Sequence, residues 1–118
     1  MSMLKKTYNS FRFALNGLRI TWREEQSFSI EVIVSTAVVL CLYFFHFTLI
    51  ESAFCVLALA VVMAVEIINT VVEDLCNKIE PNLDPVIGKI KDVSASAVLI
   101  SVIGTGIAIA LVFYSHFT

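Results

Sequence analysis

The chain has 118 residues, of which 58% are hydrophobic and only 15% are charged, and its mean hydropathy is +0.89. Soluble globular proteins average about 25% charged residues, so this composition excludes an ordinary soluble domain. The 2 prolines, 4 glycines and 3 cysteines also exclude a disordered, a collagen-like or a disulfide-stapled chain. The formal net charge of -2 gives no reason to expect a nucleic acid as partner. The composition therefore predicts a small integral membrane protein.

Residues 4–24 are predicted to form an amphipathic helix at the membrane interface. Phe11, Leu15, Leu18 and Trp22 recur at helical spacing and would form one apolar stripe. Basic and polar side chains follow the same spacing one position further on, about 100° around the helix. Such a pair of stripes is typical of an interfacial helix whose cations face lipid phosphates. The alternative interpretation is a helix that only anchors the protein to the membrane.

Three apolar stretches follow, each near the length of about 20 residues that crosses a bilayer. The predicted spans are residues 30–50, 53–75 and 93–115. The third contains no charged residue, whereas the second contains polar groups that fit a membrane only if they share one sheltered face. No repeat or long linker divides residues 1–118, so a single domain is expected. The predicted fold class is all-α, with three transmembrane helices and a surface helix.

The basic residues predict the orientation of these helices. Five of the eight Lys and Arg residues precede residue 24, and the other three lie between residues 74 and 92. Cytoplasmic flanks of membrane helices carry the excess of Lys and Arg. We therefore expect the N terminus and the connection between the second and third spans to be cytoplasmic.

One carboxylate occurs where a membrane helix should be apolar. Glu66 is followed by Asn69, Thr70 and Glu73, at spacings that place all four side chains on one side of a helix. A carboxylate inside a membrane costs about 2.5–3.5 kcal/mol on insertion scales. Glu66 would lie about 10 Å deeper than Glu73 along the helix axis. We interpret this face as a site that joins a lipid-phase group to an aqueous ligand.

Further acidic residues are expected near the level of Glu73, among them Asp92 with Lys91 beside it. Mg²⁺ usually binds one or two carboxylates together with phosphate oxygens, so this set favours a magnesium nucleotide as ligand. No Walker or other glycine-rich phosphate-binding motif occurs in the sequence. Three helices can hardly enclose a polar site alone, so a homo-oligomer with sites at subunit boundaries is expected. Simple solvation is the alternative for the outer carboxylates, and a protonated, hydrogen-bonded side chain is the alternative for Glu66.

Several motifs together resemble the small prokaryotic diacylglycerol kinase family, which also includes undecaprenol kinases. They are an ExxNxxxE signature at residues 66–73, a Lys-Asp pair at residues 91–92, the string NGLR at residues 16–19 and SHF at residues 115–117. The resemblance covers nearly the whole chain. It implies a homotrimer of three-helix subunits in the bacterial inner membrane. It also implies transfer of the γ-phosphoryl group of MgATP to a lipid hydroxyl at the cytoplasmic face.

The resemblance also implies roles for individual residues. Glu66 would be the catalytic base with Asn69 as its polar neighbour, and Glu25 and Glu73 would bind Mg²⁺. The implied nucleotide contacts are Lys6, Phe13, Glu25, Glu73, Asn82, Leu83, Asp84, Lys91 and Asp92. The implied lipid contacts are Arg19, Trp22, Ser27, Phe28, Ser29, Ile30, Glu31 and Glu66.

Diacylglycerol is the implied acceptor, and undecaprenol is the alternative within the same family. Two other classes of function also fit the residues. Because intramembrane carboxylates mark ion pathways, a proton- or cation-conducting oligomer is one of them. The other is a structural membrane subunit in which Glu66 and Asn69 only join helices.

Overall fold

The computed structural model describes residues 2–118 and contains four α-helices. They are α1 (Met3–Glu24), α2 (Gln26–Phe44), α3 (Leu49–Ile79) and α4 (Pro85–Phe117). No strand occurs in the described part of the chain. α2, α3 and α4 are each long and apolar enough to cross a membrane. The predicted all-α architecture, in which a surface helix precedes three spans, is confirmed.

α1 projects from the side of the bundle formed by the other three helices. The side chain of Ser2 caps its first turn and accepts a hydrogen bond from the backbone N–H of Lys5 at 3.2 Å. The backbone is extended at Glu25, which separates α1 from α2. The molecule measures 52 × 44 × 22 Å. Helices packed side by side about 10 Å apart would not reach the second dimension, so α1, about 33 Å long, must point away from the bundle.

The first predicted span, residues 30–50, is wrong at its far end, because α2 stops at Phe44. The helix ends in a Schellman motif, in which the backbone N–H of Phe47 donates to the carbonyl oxygen of Leu42 at 3.1 Å. His46 occupies the left-handed position of this motif, with a φ of 55°, where glycine is the usual residue. The apolar run in the sequence therefore contains a turn that no glycine or proline indicates.

A capping box starts α3 directly after this turn. The hydroxyl of Thr48 accepts from the backbone N–H of Glu51 at 3.1 Å, and the carboxylate of Glu51 accepts from the backbone N–H of Thr48 at 2.8 Å. The two exchanged hydrogen bonds satisfy donors that a helix start otherwise leaves open. Glu51, which interrupts the apolar sequence, thus fixes the position at which the chain re-enters the bundle.

α3 and α4 extend beyond the predicted spans of residues 53–75 and 93–115. α4 begins at Pro85 because the side chain of Asp84 accepts from the backbone N–H of Ile87 at 3.2 Å, and proline fits the first helical position. The 31 residues of α3 and the 33 residues of α4 correspond to about 46 and 50 Å of helix. Both exceed a hydrocarbon core of about 30 Å, so part of each helix extends beyond it.

The tightest packing lies where α2 ends, α3 begins and α4 ends. We call this region the aromatic end; it comprises Leu42, Phe47, Cys55, Phe113, His116 and Phe117. The ring of His116 stacks on that of Phe47 with centroids 3.8 Å apart. Its Nδ1 lies 3.2 Å from Oε1 of Glu51, and its Nε2 lies 2.9 Å from the carbonyl oxygen of Phe45. His116 therefore connects the ends of all three long helices.

Outside the aromatic end, few side chains of the bundle are buried. The most extensive packing joins α3 to α4, where the hydroxyl of Thr105 donates to the carbonyl oxygen of Ala58 at 3.2 Å. None of residues 85–117 is buried, and Ile100, for example, is 71% exposed. Large apolar side chains exposed along a helix suit contact with lipid or with another subunit better than contact with water.

Candidate active site

One face of α3 carries the polar groups that the sequence singles out. The amide Nδ2 of Asn69 donates to Oε1 of Glu73, one turn away, at 3.3 Å. The hydroxyl of Thr70 donates to the backbone carbonyl of Glu66 at 3.2 Å. Glu66 and Asn69 are half-buried, whereas Glu73 is exposed. Burial therefore decreases along this face from Glu66 to Glu73. We call the region of residues 66–77, together with residues 91–94 of α4, the carboxylate end.

Glu66 has an unsatisfied carboxylate. Its Oε2 is buried and has no hydrogen-bond partner among residues 2–118. Leaving a buried polar atom without a partner costs about 1–3 kcal/mol, and more for a charged group. Native proteins contain few such atoms, and those that persist call for an explanation such as a catalytic role. Glu66 thus has one carboxylate oxygen whose hydrogen-bonding capacity no group within residues 2–118 uses.

Ser94 of α4, which the sequence analysis did not single out, orients Asn69. Its hydroxyl donates to Oδ1 of Asn69 at 2.7 Å. Because Oδ1 accepts this bond, the amide nitrogen is the atom that faces Glu73. A signal was present in the sequence, since Ser94 follows Lys91 by three residues and so shares its helix face. What the sequence does not specify is which residue of α3 that face meets.

Lys91 reaches α3 one turn beyond Glu73. Its Nζ donates to the amide oxygen of Asn77 at 2.6 Å. An amide is neutral, so this contact positions the ammonium group without cancelling its charge. Asp92 is exposed. The arrangement leaves a cation close to the level of Glu73, where it can meet an anionic ligand.

A groove of about 500 Å³ separates α1 from α3. Glu25 lines it from the junction of α1 and α2, and Thr70 and Asp74 line it from α3. Glu73 is not among the residues that line this groove, and its carboxylate accepts a hydrogen bond from Asn69. Within one subunit the two predicted metal ligands therefore do not share a cavity.

The donor atoms of Glu25 and Glu73 suit Mg²⁺, which prefers hard oxygen ligands. No group of three or more His, Cys, Asp and Glu residues among the described residues 2–118 could hold a metal ion. Mg²⁺ does not require such a cage where phosphate oxygens complete its coordination. The residues fit a magnesium ion that arrives with a nucleotide, and they do not fit a metal held by protein groups alone.

The predicted lipid contacts at the junction of α1 and α2 have varied environments. The hydroxyl of Ser29 donates to the carbonyl oxygen of Trp22 at 2.9 Å and so joins the two helices. Phe28 is buried, while Glu31 is half-buried and its Oε2 lacks a partner within residues 2–118. The other predicted lipid contacts in this part of the chain are exposed: Arg19, Trp22, Ser27 and Ile30. The predicted nucleotide contacts Lys6 and Phe13 of α1 are exposed as well.

The predicted nucleotide loop, residues 82–84, is shaped by its own hydrogen bonds. The backbone N–H of Asn82 donates to the carboxylate of Glu80 at 3.1 Å. Asp84 caps α4, and Leu83 is fully exposed. Local capping accounts for the conformation of this loop, and its contact with a nucleotide stays a prediction.

Comparison with known proteins relates the chain to one family. A sequence profile described as "Prokaryotic diacylglycerol kinase" matches residues 12–113. Proteins named Diacylglycerol kinase from Escherichia coli strain K12 and from Shigella flexneri are 28% identical to this chain over 105 residues, which cover 89% of it and 86% of theirs. The protein of that name from Haemophilus influenzae is 27% identical over 99 residues, or 84% of each chain. The profile match includes α2 and α3 completely and most of α1 and α4.

Proposed function

The chain belongs to the prokaryotic diacylglycerol kinase family and is a membrane lipid kinase, and we propose that it transfers the γ-phosphoryl group of ATP to diacylglycerol to form phosphatidic acid. The relatives compared above are all named for that lipid. The observation that carries the chemistry is the buried, unpartnered Oε2 of Glu66. It supports a general base at the boundary between the lipid and aqueous phases.

In this proposal Glu66 accepts the proton of the lipid hydroxyl. The hydroxyl oxygen forms a bond to the γ-phosphorus, the bond from that phosphorus to the β,γ-bridging oxygen breaks, and ADP leaves with the electron pair. The proton passes from Glu66 to water before the next cycle. A positioned base contributes about 10²–10⁴-fold to such a reaction. The half-buried position of Glu66 fits this role, because the hydroxyl group of a lipid substrate stays close to the bilayer.

The neighbouring polar groups position the reactants. Ser94 donates to Asn69, which in turn donates to Glu73, so hydrogen bonds connect three side chains from two helices. Glu25 and Glu73 would hold Mg²⁺, which when bound neutralises charge on the phosphate oxygens. Lys91, whose charge is not cancelled by Asn77, would add a point charge for the same phosphates.

We further propose that the working unit is a homotrimer with this site on the cytoplasmic side. Two observations support the assembly: within one subunit Glu25 lines a groove that Glu73 does not line, and the apolar surface of α4 is left uncovered. The basic residues of α1 and of the start of α4 support the orientation.

The experiment that tests the proposed function is transfer of radiolabelled phosphate from ATP in mixed micelles. Diacylglycerol and undecaprenol are offered separately, with and without Mg²⁺. We expect labelled phosphatidic acid, and only when Mg²⁺ is present. Label on undecaprenol alone would replace the proposed acceptor while keeping the enzyme class, and no labelled lipid in either case would overturn the proposal.

The metal assignment is tested separately by titrating Mg²⁺. Glu73→Gln and Glu25→Gln should each raise the Mg²⁺ concentration needed for half-maximal activity, because each removes one anionic oxygen ligand. Glu51→Gln, a change of the same type at the opposite end of the bundle, is the matched control. Wild-type titration curves for both test variants would contradict the assignment.

A further inference from the structure

A second cavity, of about 280 Å³, lies among α2, α3 and α4. Leu59 and Val62 line it from α3 and lie about 6–10 Å from Glu66 along the axis, towards the aromatic end. Its position is therefore deeper in the membrane than the proposed base. Its walls are mainly apolar, and the exceptions are Glu31, Ser35 and Thr105.

Two residues that line this cavity each carry a polar atom without a partner. Oγ of Ser35 and Oε2 of Glu31 are both buried, and neither has a hydrogen-bond partner among residues 2–118. The whole side chain of Ser35 is only 9% exposed. Thr105 differs, because its hydroxyl already donates to Ala58. Two residues of the cavity wall therefore carry an unused polar atom: Ser35 has a hydroxyl donor and Glu31 has a carboxylate acceptor.

Other hydroxyl groups of this bundle differ from that of Ser35, because they do have hydrogen-bond partners. The adjacent Thr36 donates to the carbonyl oxygen of Val32, one turn back, at 2.8 Å. Ser101 on α4 also donates to a backbone carbonyl, that of Val98, at 2.8 Å. The usual way to satisfy a helical hydroxyl is thus used beside Ser35 but not by it. Its hydroxyl is not used by the backbone of α2 and remains available to another acceptor.

The chemistry of that acceptor follows from where the cavity lies. A ligand that enters from the lipid phase and presents its hydroxyl to Glu66 would place the next part of its structure in this cavity. In diacylglycerol that part is the glycerol backbone with its ester carbonyls, which only accept hydrogen bonds. In a polyprenol it is hydrocarbon, which would leave Ser35 unsatisfied at a cost. The orphaned hydroxyl therefore fits an ester-bearing lipid.

We propose that this cavity receives the ester-bearing glycerol backbone of the lipid substrate and that Ser35 donates a hydrogen bond to one ester carbonyl oxygen. This inference rests on the proposed function and adds the group by which the acceptor lipid is recognised. The cavity volume equals that of about nine water molecules in the liquid, enough for the glycerol carbons and an ester group.

The test compares two lipids that differ only in the carbonyl groups. Diacylglycerol and the dialkyl ether of glycerol with the same chain length both offer the primary hydroxyl, but the ether lacks the ester carbonyls. The ratio of kcat/KM for ester over ether is measured for the wild type, for Ser35→Ala and for Thr36→Ala. Thr36→Ala removes a neighbouring hydroxyl that is already satisfied inside its own helix.

We expect the wild type to prefer the ester by about fivefold, the size of one net hydrogen bond. Ser35→Ala should bring the ratio close to one, while Thr36→Ala should keep the wild-type ratio. A ratio that Ser35→Ala leaves unchanged would overturn the inference. So would equal losses on both lipids with a lower thermal midpoint, because Ser35 would then contribute only packing, within the subunit or to a second copy.

Failure of the proposed function gives a different result. A wild-type enzyme that phosphorylates undecaprenol but neither glycerolipid would overturn the acceptor and this inference together. A wild type that is active on both glycerolipids, with the same ester-to-ether ratio in Ser35→Ala, would overturn the inference alone.

Discussion

The two ends of the helix bundle satisfy their polar groups to very different degrees. At the aromatic end both ring nitrogens of His116 lie within hydrogen-bond distance of an oxygen, one of them of Glu51, and Glu51 also accepts from the backbone N–H of Thr48. At the other end the buried oxygens of Glu66 and Glu31 have no partner within residues 2–118. The same three helices build both ends, so the difference is one of side chains and not of backbone type.

With Glu66 as the proposed base, stability and chemistry would be separated along the helix axis. A closed and satisfied cluster holds the helices together where nothing needs to enter. The open end keeps atoms in unfavourable surroundings, which proteins generally tolerate at functional sites and offset elsewhere. Substitutions at the two ends should therefore have opposite effects, and the following four predictions run from the largest expected effect to the smallest.

Glu66→Gln should separate activity from stability most completely. We expect phosphoryl transfer to fall about 10²–10⁴-fold because the base is lost, with no loss of thermal stability because the orphaned carboxylate is replaced by a neutral amide. The matched control is Glu51→Gln on the same helix, which should lower the thermal midpoint but keep the activity of the folded enzyme. Activity of Glu66→Gln within tenfold of the wild type would contradict the assignment of the base.

Phe47→Ala should have the reverse effect. Phe47 is 9% exposed and packs against Phe113 and His116, so its loss leaves a void. Truncating a buried Phe costs about 3–5 kcal/mol in soluble proteins, but lipid chains are as apolar as the protein core, so about 2 kcal/mol is expected here. Unfolding in mixed micelles measures the change, and Phe44→Ala, at a 65% exposed neighbour, should be nearly neutral. Equal effects of the two variants would show that this end is not a packed core.

Ser94→Ala should lower kcat about fivefold, because Asn69 loses the hydrogen bond that orients it. The KM for ATP and the thermal midpoint should change little, which distinguishes positioning from a structural role. Ser96→Ala is the matched control, since that hydroxyl donates to the carbonyl oxygen of its own helix at Val93. Ser94→Thr keeps a hydroxyl and should restore most of the activity. A lower thermal midpoint with an unchanged kcat would assign Ser94 to helix packing instead.

His46→Gly should give the smallest effect, a stabilisation of about 0.5–1 kcal/mol. The left-handed φ of 55° at His46 strains any residue that has a Cβ, and glycine removes that strain. The thermal midpoint should rise, whereas His46→Ala should leave it unchanged or lower it. A lower thermal midpoint for His46→Gly would mean that contacts of the imidazole ring stabilise this end by more than the left-handed φ destabilises it.

Much of the architecture could be predicted from the sequence because lipid permits few alternatives. Apolar runs of this length can only be helices in a bilayer, so three spans follow from composition alone. The end of α2 could not be predicted, because the turn at His46 uses a residue that usually does not occupy that conformation. The starts of α3 and α4 have local signals in Thr48, Glu51, Asp84 and Pro85, but the predicted spans followed hydropathy and ended where the apolar run ended.

The candidate site shows the same division. Glu66, Asn69 and Glu73 stand out in the sequence because polar residues at helical spacing are rare in an apolar segment. Ser94 and Ser35 do not stand out, because serine occurs in membrane helices without cost when it bonds to its own backbone. Ser94 matters because its face of α4 meets Asn69. Ser35 matters because its hydroxyl does not donate to a backbone carbonyl of its own helix.

The sequence by itself determined that this is a three-span membrane protein with one misplaced carboxylate, since both conclusions follow from local composition and helical period. Only the tertiary structure decided that Ser94 orients Asn69, that His116 and Glu51 close the aromatic end, and that the oxygens of Glu66, Glu31 and Ser35 remain unpartnered. The physical reason is that a hydrogen bond between helices depends on their relative rotation and depth. Packing of the whole bundle sets both quantities, and no short stretch of sequence does.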